Sequence, residues 1–137
     1  MQQYIGKKLI NAKPMNRLDY NNFRGWELPS DENGADEGYL VEYVDGGKAN
    51  TDEYEGYVSW SPADVFDRAY RPCGNHVQRM QIEFDDLQDK FTKLDDFLLT
   101  DSVYTLPIEQ TNLMRKQHGL MYEYLSVLSD RINLASK

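Results

Sequence analysis

A heptad pattern of apolar residues in the C-terminal half is the strongest constraint in this sequence. From Val77 to Leu98, apolar side chains recur at alternating spacings of three and four residues, and a second pattern of this kind extends from Met114 to Ile132. Such spacing is typical of helices that pack along one apolar seam. A short connection makes two such helices antiparallel. The sequence therefore predicts a helical hairpin over residues 76–135. We call the following positions the hairpin seam: Val77, Met80, Phe84, Leu87, Phe91, Leu94 and Leu98 on the first helix, and Met114, His118, Met121, Leu125, Leu128 and Ile132 on the second.

The N-terminal half has a different pattern, in which short runs of β-forming residues alternate with turn residues. We predict strands at residues 4–10, 38–44 and 56–60. A short helix over residues 16–23 is expected, capped by Asn16 and closed by Gly25. Another is expected to begin at Ser61 and Pro62 and to stop near Arg71. The predicted class is α+β: a small antiparallel sheet with one or two short helices over residues 1–72, followed by the hairpin.

Charge and cysteine content limit the classes of function. The formal charge is −8, and residues 27–55 contain ten acidic side chains and one basic side chain. A binder of nucleic acid polymers needs a basic face, so this class is not expected. The single cysteine, Cys73, excludes an internal disulfide. The first residues do not resemble a signal peptide, and no apolar run has membrane-spanning length. We therefore expect a soluble, intracellular protein without a membrane partner.

Catalytic and metal-binding patterns are absent from the sequence. His76 and His118 are far apart and neither belongs to a metal-ligand motif. Cys73 lies on a linker without a histidine nearby in sequence, and we interpret it as an ordinary thiol. His118 falls on the hairpin seam, where a core role is expected, and the acidic pairs 85–86 and 95–96 are expected mostly on the outer face. No enzyme activity, cofactor or metal is predicted.

Arginines and aromatic residues are the remaining candidates for function. Nucleotide recognition needs flat side chains that stack on a base and forked donors that bind phosphate oxygens. Phe97, Leu120, Tyr124 and Val127 lie off the seam and need another partner. The N-terminal sheet could cover some of them and a second copy of the hairpin the rest, and we favour self-association into a dimer at least, or a hexamer. We expect a ligand pocket where one chain meets another. The predicted ligand-binding residues are Arg24, Arg71, Phe91, Phe97, Arg115, Tyr124 and Arg131.

Both halves resemble known phage proteins. The N-terminal half resembles a module common in phage and prophage proteins, through strings such as Arg24-Gly25-Trp26, Asp36-Glu37-Gly38-Tyr39-Leu40-Val41 and Gly56-Tyr57-Val58-Ser59-Trp60-Ser61-Pro62. The C-terminal half resembles the hairpin shared by two sponge families, one that counters Thoeris defence and one that counters CBASS defence. This second resemblance depends on Arg79-Met80, Phe97-Leu98, Leu113-Met114, Gln117, Met121, Tyr124-Leu125 and Arg131-Ile132. Together the two parts look most like the first type of Thoeris anti-defence protein.

The resemblance implies a protein that captures a cyclic nucleotide immune signal and leaves it intact. Members of that family bind glycocyclic ADP-ribose (gcADPR), and some also hold cyclic di- or trinucleotides in a hexamer. The implied place of action is the cytoplasm of the bacterial host. Two other functions stay open from the residues alone. One is an acidic protein-binding module that inhibits a host enzyme, in the manner of a DNA mimic. The other is an enzyme that cleaves a nucleotide.

Overall fold

The computed structural model describes all 137 residues, which form two compact units, residues 1–70 and residues 71–137. The first unit contains a three-stranded sheet with two short helices, and the second contains two long helices. The predicted α+β class is confirmed. No helix is both long enough and apolar enough to cross a membrane.

The sheet of the first unit is an antiparallel meander in the order β1-β2-β3. Strand β1 is Ile10–Pro14, β2 is Gly38–Tyr43 and β3 is Tyr57–Pro62. The central strand pairs Ala12 with Val41 on one side and Val41 with Ser59 on the other. Strands β2 and β3 therefore occupy the positions that the alternation of apolar and turn residues predicted, within two residues at each end.

Helices cover both faces of this sheet. Helix α1, Arg17–Arg24, places Tyr20 against Leu40 and Val58, which are each 1% exposed. Helix α2, Ala63–Ala69, stacks Phe66 on Tyr39 at a ring distance of 3.9 Å. Leu40 and its neighbour Val41 point to opposite faces, and both are 1% exposed. The unit therefore has a closed core around its central strand.

Helix α1 begins and ends as the sequence predicted. The Asn16 side chain accepts a hydrogen bond from the backbone N–H of Asp19 at 2.8 Å. Gly25 follows the last turn at φ 71°, in the left-handed region that glycine tolerates best. Its N–H donates to backbone carbonyls of the last turn. A capping side chain and a closing glycine thus fix this eight-residue helix.

Two local predictions in this unit are wrong. Residues 4–9 form no strand and are exposed, and β1 lies five residues further along the chain. The β-forming residues 4–10 have no partner, because β2 pairs with 10–14 instead. Ser61 pairs with Tyr39 and Pro62 with Gly38, so both residues complete β3. Helix α2 begins only at Ala63, with Pro62 at its N-cap position and no capping hydrogen bond from a side chain. Proline is tolerated there because it lies at the end of an edge strand.

The second unit is an antiparallel helical hairpin. Helix α3 is His76–Leu98, and the Asn75 side chain caps it by accepting from Gln78 N–H at 2.8 Å. A short 3-10 helix, Asp101–Thr105, forms the connection. Helix α4 is Ile108–Ala135, and Pro107 precedes its first turn. Contacts between residues 83 and 124 and between 95 and 118 show that the helices are antiparallel.

Burial along the hairpin follows the predicted seam. Every seam position is buried or half-buried, and Met80, Met121 and Leu128 are the most enclosed. His118 is half-buried, as its place on the seam predicted; its ring stacks on Phe91 and its Nε2 lies 2.7 Å from Asp95 Oδ1. Among the acidic residues 85–86 and 95–96, which the sequence placed mostly on the outer face, Asp95 is the exception, since it is half-buried against this histidine.

Candidate ligand-binding site

A second line of residues on α4 lies beside the hairpin seam and is open to solvent. Its apolar members are between 47% and 67% exposed, values that are large for such side chains in one continuous row. The spacing alternates between four and three residues, as it does along the seam itself. We call this line the outer stripe: Leu113, Gln117, Leu120, Tyr124, Val127, Arg131 and Leu134.

A groove of about 450 Å³ lies along the first half of the outer stripe. Leu87, Leu113, Leu120 and Met121 give it apolar walls, and Lys116 and Gln117 add polar groups. Tyr124 closes one end. The groove therefore combines an apolar floor with a cation and an amide, which is the composition of many small-molecule sites.

Tyr124 connects this groove to a second, more polar one on the same hairpin. Its hydroxyl donates to the Glu83 carboxylate, and that hydrogen bond raises the pKa of Tyr124, because ionisation would place two negative charges together. The second groove has about 400 Å³ and is lined by Arg79, Lys90 and Asp86 as well as by this pair. Tyr124 thus presents its ring edge to two depressions with different chemistry.

The predicted arginines of the hairpin differ in whether a carboxylate of the chain already pairs with them. Arg71 forms two hydrogen bonds to the Asp86 carboxylate, at 2.8 and 3.2 Å. This pairing holds the pKa of Asp86 below its usual value. Arg115 and Arg131 are exposed on α4 and pair with no carboxylate. Their guanidinium groups are therefore available to an anion, whereas that of Arg71 is occupied.

The predicted aromatic residues of the hairpin differ in how exposed they are. Phe91 stacks on His118 at 4.6 Å, inside the helix interface. Phe97 is half-buried near the end of α3, where its carbonyl accepts from Thr100. Tyr124 is 47% exposed. The structure places Tyr124 and Arg131 on the same face of α4, two helical turns apart, and leaves Phe91 in the helix interface.

Arg24 lies in the N-terminal unit, in a cavity of about 520 Å³. Its guanidinium is 4.3 Å from the centre of the Trp26 ring, and Arg17 lies in the same cavity. The sequence reasoning did not include Arg17 or Gln117 among the ligand-binding residues, although Gln117 is part of the hairpin resemblance. Arg17 precedes Arg24 by seven residues, so helical spacing places both on one side of α1. Gln117 occupies a polar position of a mostly apolar heptad line, and this periodicity is the signal that could have found it.

The structure assembles no group of three or more histidine, cysteine or acidic side chains that could hold a metal ion. Cys73 is half-buried on the segment between α2 and α3, and its backbone carbonyl accepts a hydrogen bond from the Arg79 side chain. The only contact of a histidine with a carboxylate is that of His118 with Asp95, inside the hairpin. The candidate sites therefore offer charge, stacking and hydrogen bonds.

Comparison with known families gives a match over the hairpin. Residues 74–134 match the model of the family described as Sequestin. The matched segment contains the whole of α3, the connection and all of α4 except its last residue. No curated protein and no solved structure matches the chain. The matched family confirms the predicted sequestering type of hairpin.

Proposed function

Because residues 74–134 match the Sequestin family, we propose that the protein captures a cyclic nucleotide immune signal and holds it uncleaved. The family fits a protein that sequesters a molecule. The signal that we favour is gcADPR, with cyclic di- or trinucleotides as further ligands. We expect the protein to act in the cytoplasm of a bacterial host, as a phage inhibitor of Thoeris defence.

The observation that supports this proposal most is the free charge on α4. A ligand with a pyrophosphate needs planar cationic donors, and the protein as a whole is negative. Arg115 and Arg131 supply such donors without competition from a carboxylate of the chain. Tyr124 offers an exposed ring for stacking close to Arg131. Binding then depends on local cations that outweigh the surrounding field.

A second copy of the chain is the partner that we propose for the outer stripe. A heptad line of apolar residues is the surface that another helix of the same kind covers. Gln117 and Arg131 interrupt that line, so two polar positions would become enclosed when the apolar positions are covered. A ligand bound there would contact both chains, which is how we expect the pocket to form in a dimer or a hexamer.

Uptake and release of the ligand test this function directly. The protein is mixed with gcADPR, separated from free ligand, denatured by heat, and the supernatant is analysed by mass spectrometry. Release of the intact ligand is the expected result. A chemically altered ligand would indicate an enzyme, and no uptake would favour an acidic protein-binding module. Either result would contradict the proposal.

Single variants locate the site. A charged hydrogen bond contributes about 1.5–3 kcal/mol, so Arg131→Gln or Arg115→Gln should weaken gcADPR binding about ten- to a hundredfold. Lys93→Gln is the matched control, because Lys93 is exposed on α3 and pairs with Asp89. Calorimetry gives the affinities. If both arginine variants bind like the control, the ligand is held elsewhere in the chain.

A further inference from the structure

The cavity of the N-terminal unit has the composition of a second ligand site, outside the region matched by Sequestin. It is the larger of the cavities described above, at about 520 Å³, and it opens between α1, the segment that follows α1, and β3. Two arginines and four aromatic residues line it: Arg17, Tyr20, Arg24, Trp26, Tyr57 and Trp60. A volume of this size fits a small molecule of nucleotide dimensions.

The two arginines of the cavity have different partners. Arg17 lies 4.5 Å from the centre of the Trp60 ring and pairs with Glu32 at 3.3 Å. Arg24 stacks on Trp26 and donates one hydrogen bond to the Tyr20 hydroxyl at 3.0 Å. No carboxylate pairs with Arg24, so its other N–H groups remain available. The cavity therefore has one neutralised cation and one cation that is free to bind an anion.

Of the two tryptophan rings of the cavity, one is fixed by its contacts and the other is exposed to solvent. Trp60 is fixed by a hydrogen bond of 2.7 Å from its Nε1 to the Met15 carbonyl. The backbone of Gly38 packs so closely on the Trp60 indole that any added Cβ would overlap that ring. Trp26 is 51% exposed, whereas the Tyr57 ring lies on the other face of β3, beside Tyr43. An open aromatic face beside a rigid wall is suited to a planar base.

Acidic residues at the cavity decide between classes of anionic ligand. Glu27 and Glu32 line the same cavity as Arg24. Glu32 is paired with Arg17, whereas Glu27 forms no ion pair. The Glu27 carboxylate opposes a ligand with several phosphates, because like charges repel at close range. It also accepts hydrogen bonds from hydroxyl groups, which a ribose provides. One free cation, one open aromatic face and one carboxylate acceptor together match a nucleoside with a single phosphate.

We propose that this cavity binds a nucleoside monophosphate. The base stacks on the open face of Trp26, the phosphate accepts hydrogen bonds from Arg24, and the ribose hydroxyls donate to Glu27. This site lies wholly within residues 1–70 and does not depend on the function proposed for the hairpin.

Tryptophan fluorescence tests the site without a label, because the chain has only two tryptophans and both line this cavity. The full chain is titrated with AMP, GMP, adenosine and inorganic phosphate, and free N-acetyltryptophanamide corrects for absorption by the base. Saturable quenching by AMP or GMP is expected, with adenosine about tenfold weaker or more, because it lacks the charged contact. No saturable change with either nucleotide would overturn the proposal, as would equal affinities for AMP and adenosine.

Substitutions of Arg24, in the cavity, and of Arg68, outside it, make this test more specific. Arg24→Gln should weaken AMP binding about tenfold or more, and Arg24→Lys should restore part of it. Arg68→Gln is the control, since Arg68 is an exposed arginine of α2 outside the cavity. The near-UV circular dichroism of Arg24→Gln reports whether the rings keep their packing. A folded Arg24→Gln variant that binds AMP like the Arg68→Gln control would overturn the assignment.

Discussion

The N-terminal unit and the hairpin bury their apolar residues to different degrees. The sheet of the N-terminal unit is covered on both faces, and Leu40, Val41 and Val58 are each 1% exposed. On the hairpin, most seam positions are only half-buried, and the row of apolar residues on the outer stripe is open to solvent. Two helices cover only one strip of each other, whereas a sheet between helices is enclosed from both sides.

The two units therefore differ in the source of their stability. The N-terminal unit completes its core with its own residues. The hairpin leaves apolar surface that a partner is needed to cover, because such a row costs free energy when it stays in water. We infer that the hairpin gains stability on self-association. Substitutions in both units test the contrast between them.

Leu128→Asp should have the largest effect. Leu128 is 1% exposed on the hairpin seam, and a charge there has no partner, so we expect a loss of about 3–5 kcal/mol in the free energy of unfolding. Far-UV circular dichroism during urea unfolding measures it. Leu134→Asp is the matched control on the same helix, since Leu134 is 67% exposed. It should spare the hairpin fold and weaken self-association in light scattering. Equal unfolding curves for the two variants would show that the seam is assigned to the wrong face.

Loss of a helix cap should have an intermediate effect in each unit. Asn16→Ala and Asn75→Ala each remove a capping hydrogen bond of 2.8 Å, at an expected cost of about 1 kcal/mol. Tryptophan fluorescence follows the N-terminal unit, and far-UV circular dichroism follows mainly the hairpin. Each variant should shift chiefly the signal of its own unit. Asparagine to aspartate at the same positions keeps the cap and should change little. If either alanine variant shifts both signals equally, the units unfold as one.

Asp86→Asn should have the smallest effect, and it should depend on pH. The Arg71 guanidinium lowers the pKa of Asp86 from the ordinary value of 3.8, so the ion pair stabilises the folded state above that pH. The contribution is lost as the pH falls through the lowered pKa. Both groups are about half exposed, which limits the expected difference at neutral pH to about 0.2–1 kcal/mol. Urea unfolding at neutral and strongly acidic pH measures it. A difference that persists in strong acid would mean that the aspartate acts through something other than its charge.

The hairpin was predictable to within a residue or two, because a heptad pattern fixes both the helices and the faces that meet. Helix α3 begins at His76 and α4 ends at Ala135, as the pattern and its flanking residues indicated. The sheet was less predictable. A segment forms a β-strand only where another strand pairs with it, as β2 pairs with β1. The apolar composition of residues 4–10 carries no information on such pairing. Ser61 and Pro62 have the composition of a helix start, but strand pairing prevails there.

The candidate sites were predictable in residue type and less so in location. Sequence reasoning selected arginines and aromatics, and the structure groups some of them, such as Tyr124 with Arg131 on one face. It could not show that Arg71 is already paired with Asp86, since the two are fifteen residues apart. Nor could it show that Arg17 lies over Trp60, because that contact depends on how α1 packs on β3. Long-range packing decides which charges remain free.

The order of residues along the outer stripe has a consequence for stoichiometry. Read from either end toward Tyr124, the stripe gives leucine, a polar residue and then an apolar residue, so it is nearly palindromic. Such a line complements itself about a two-fold axis, with Tyr124 near the axis and Gln117 of one copy opposite Arg131 of the other. The two polar positions would then lie about 10 Å on either side of the axis, in equivalent surroundings. A dimer of this kind would hold two ligands, each shared by both chains, so dilution that separates the chains would release both.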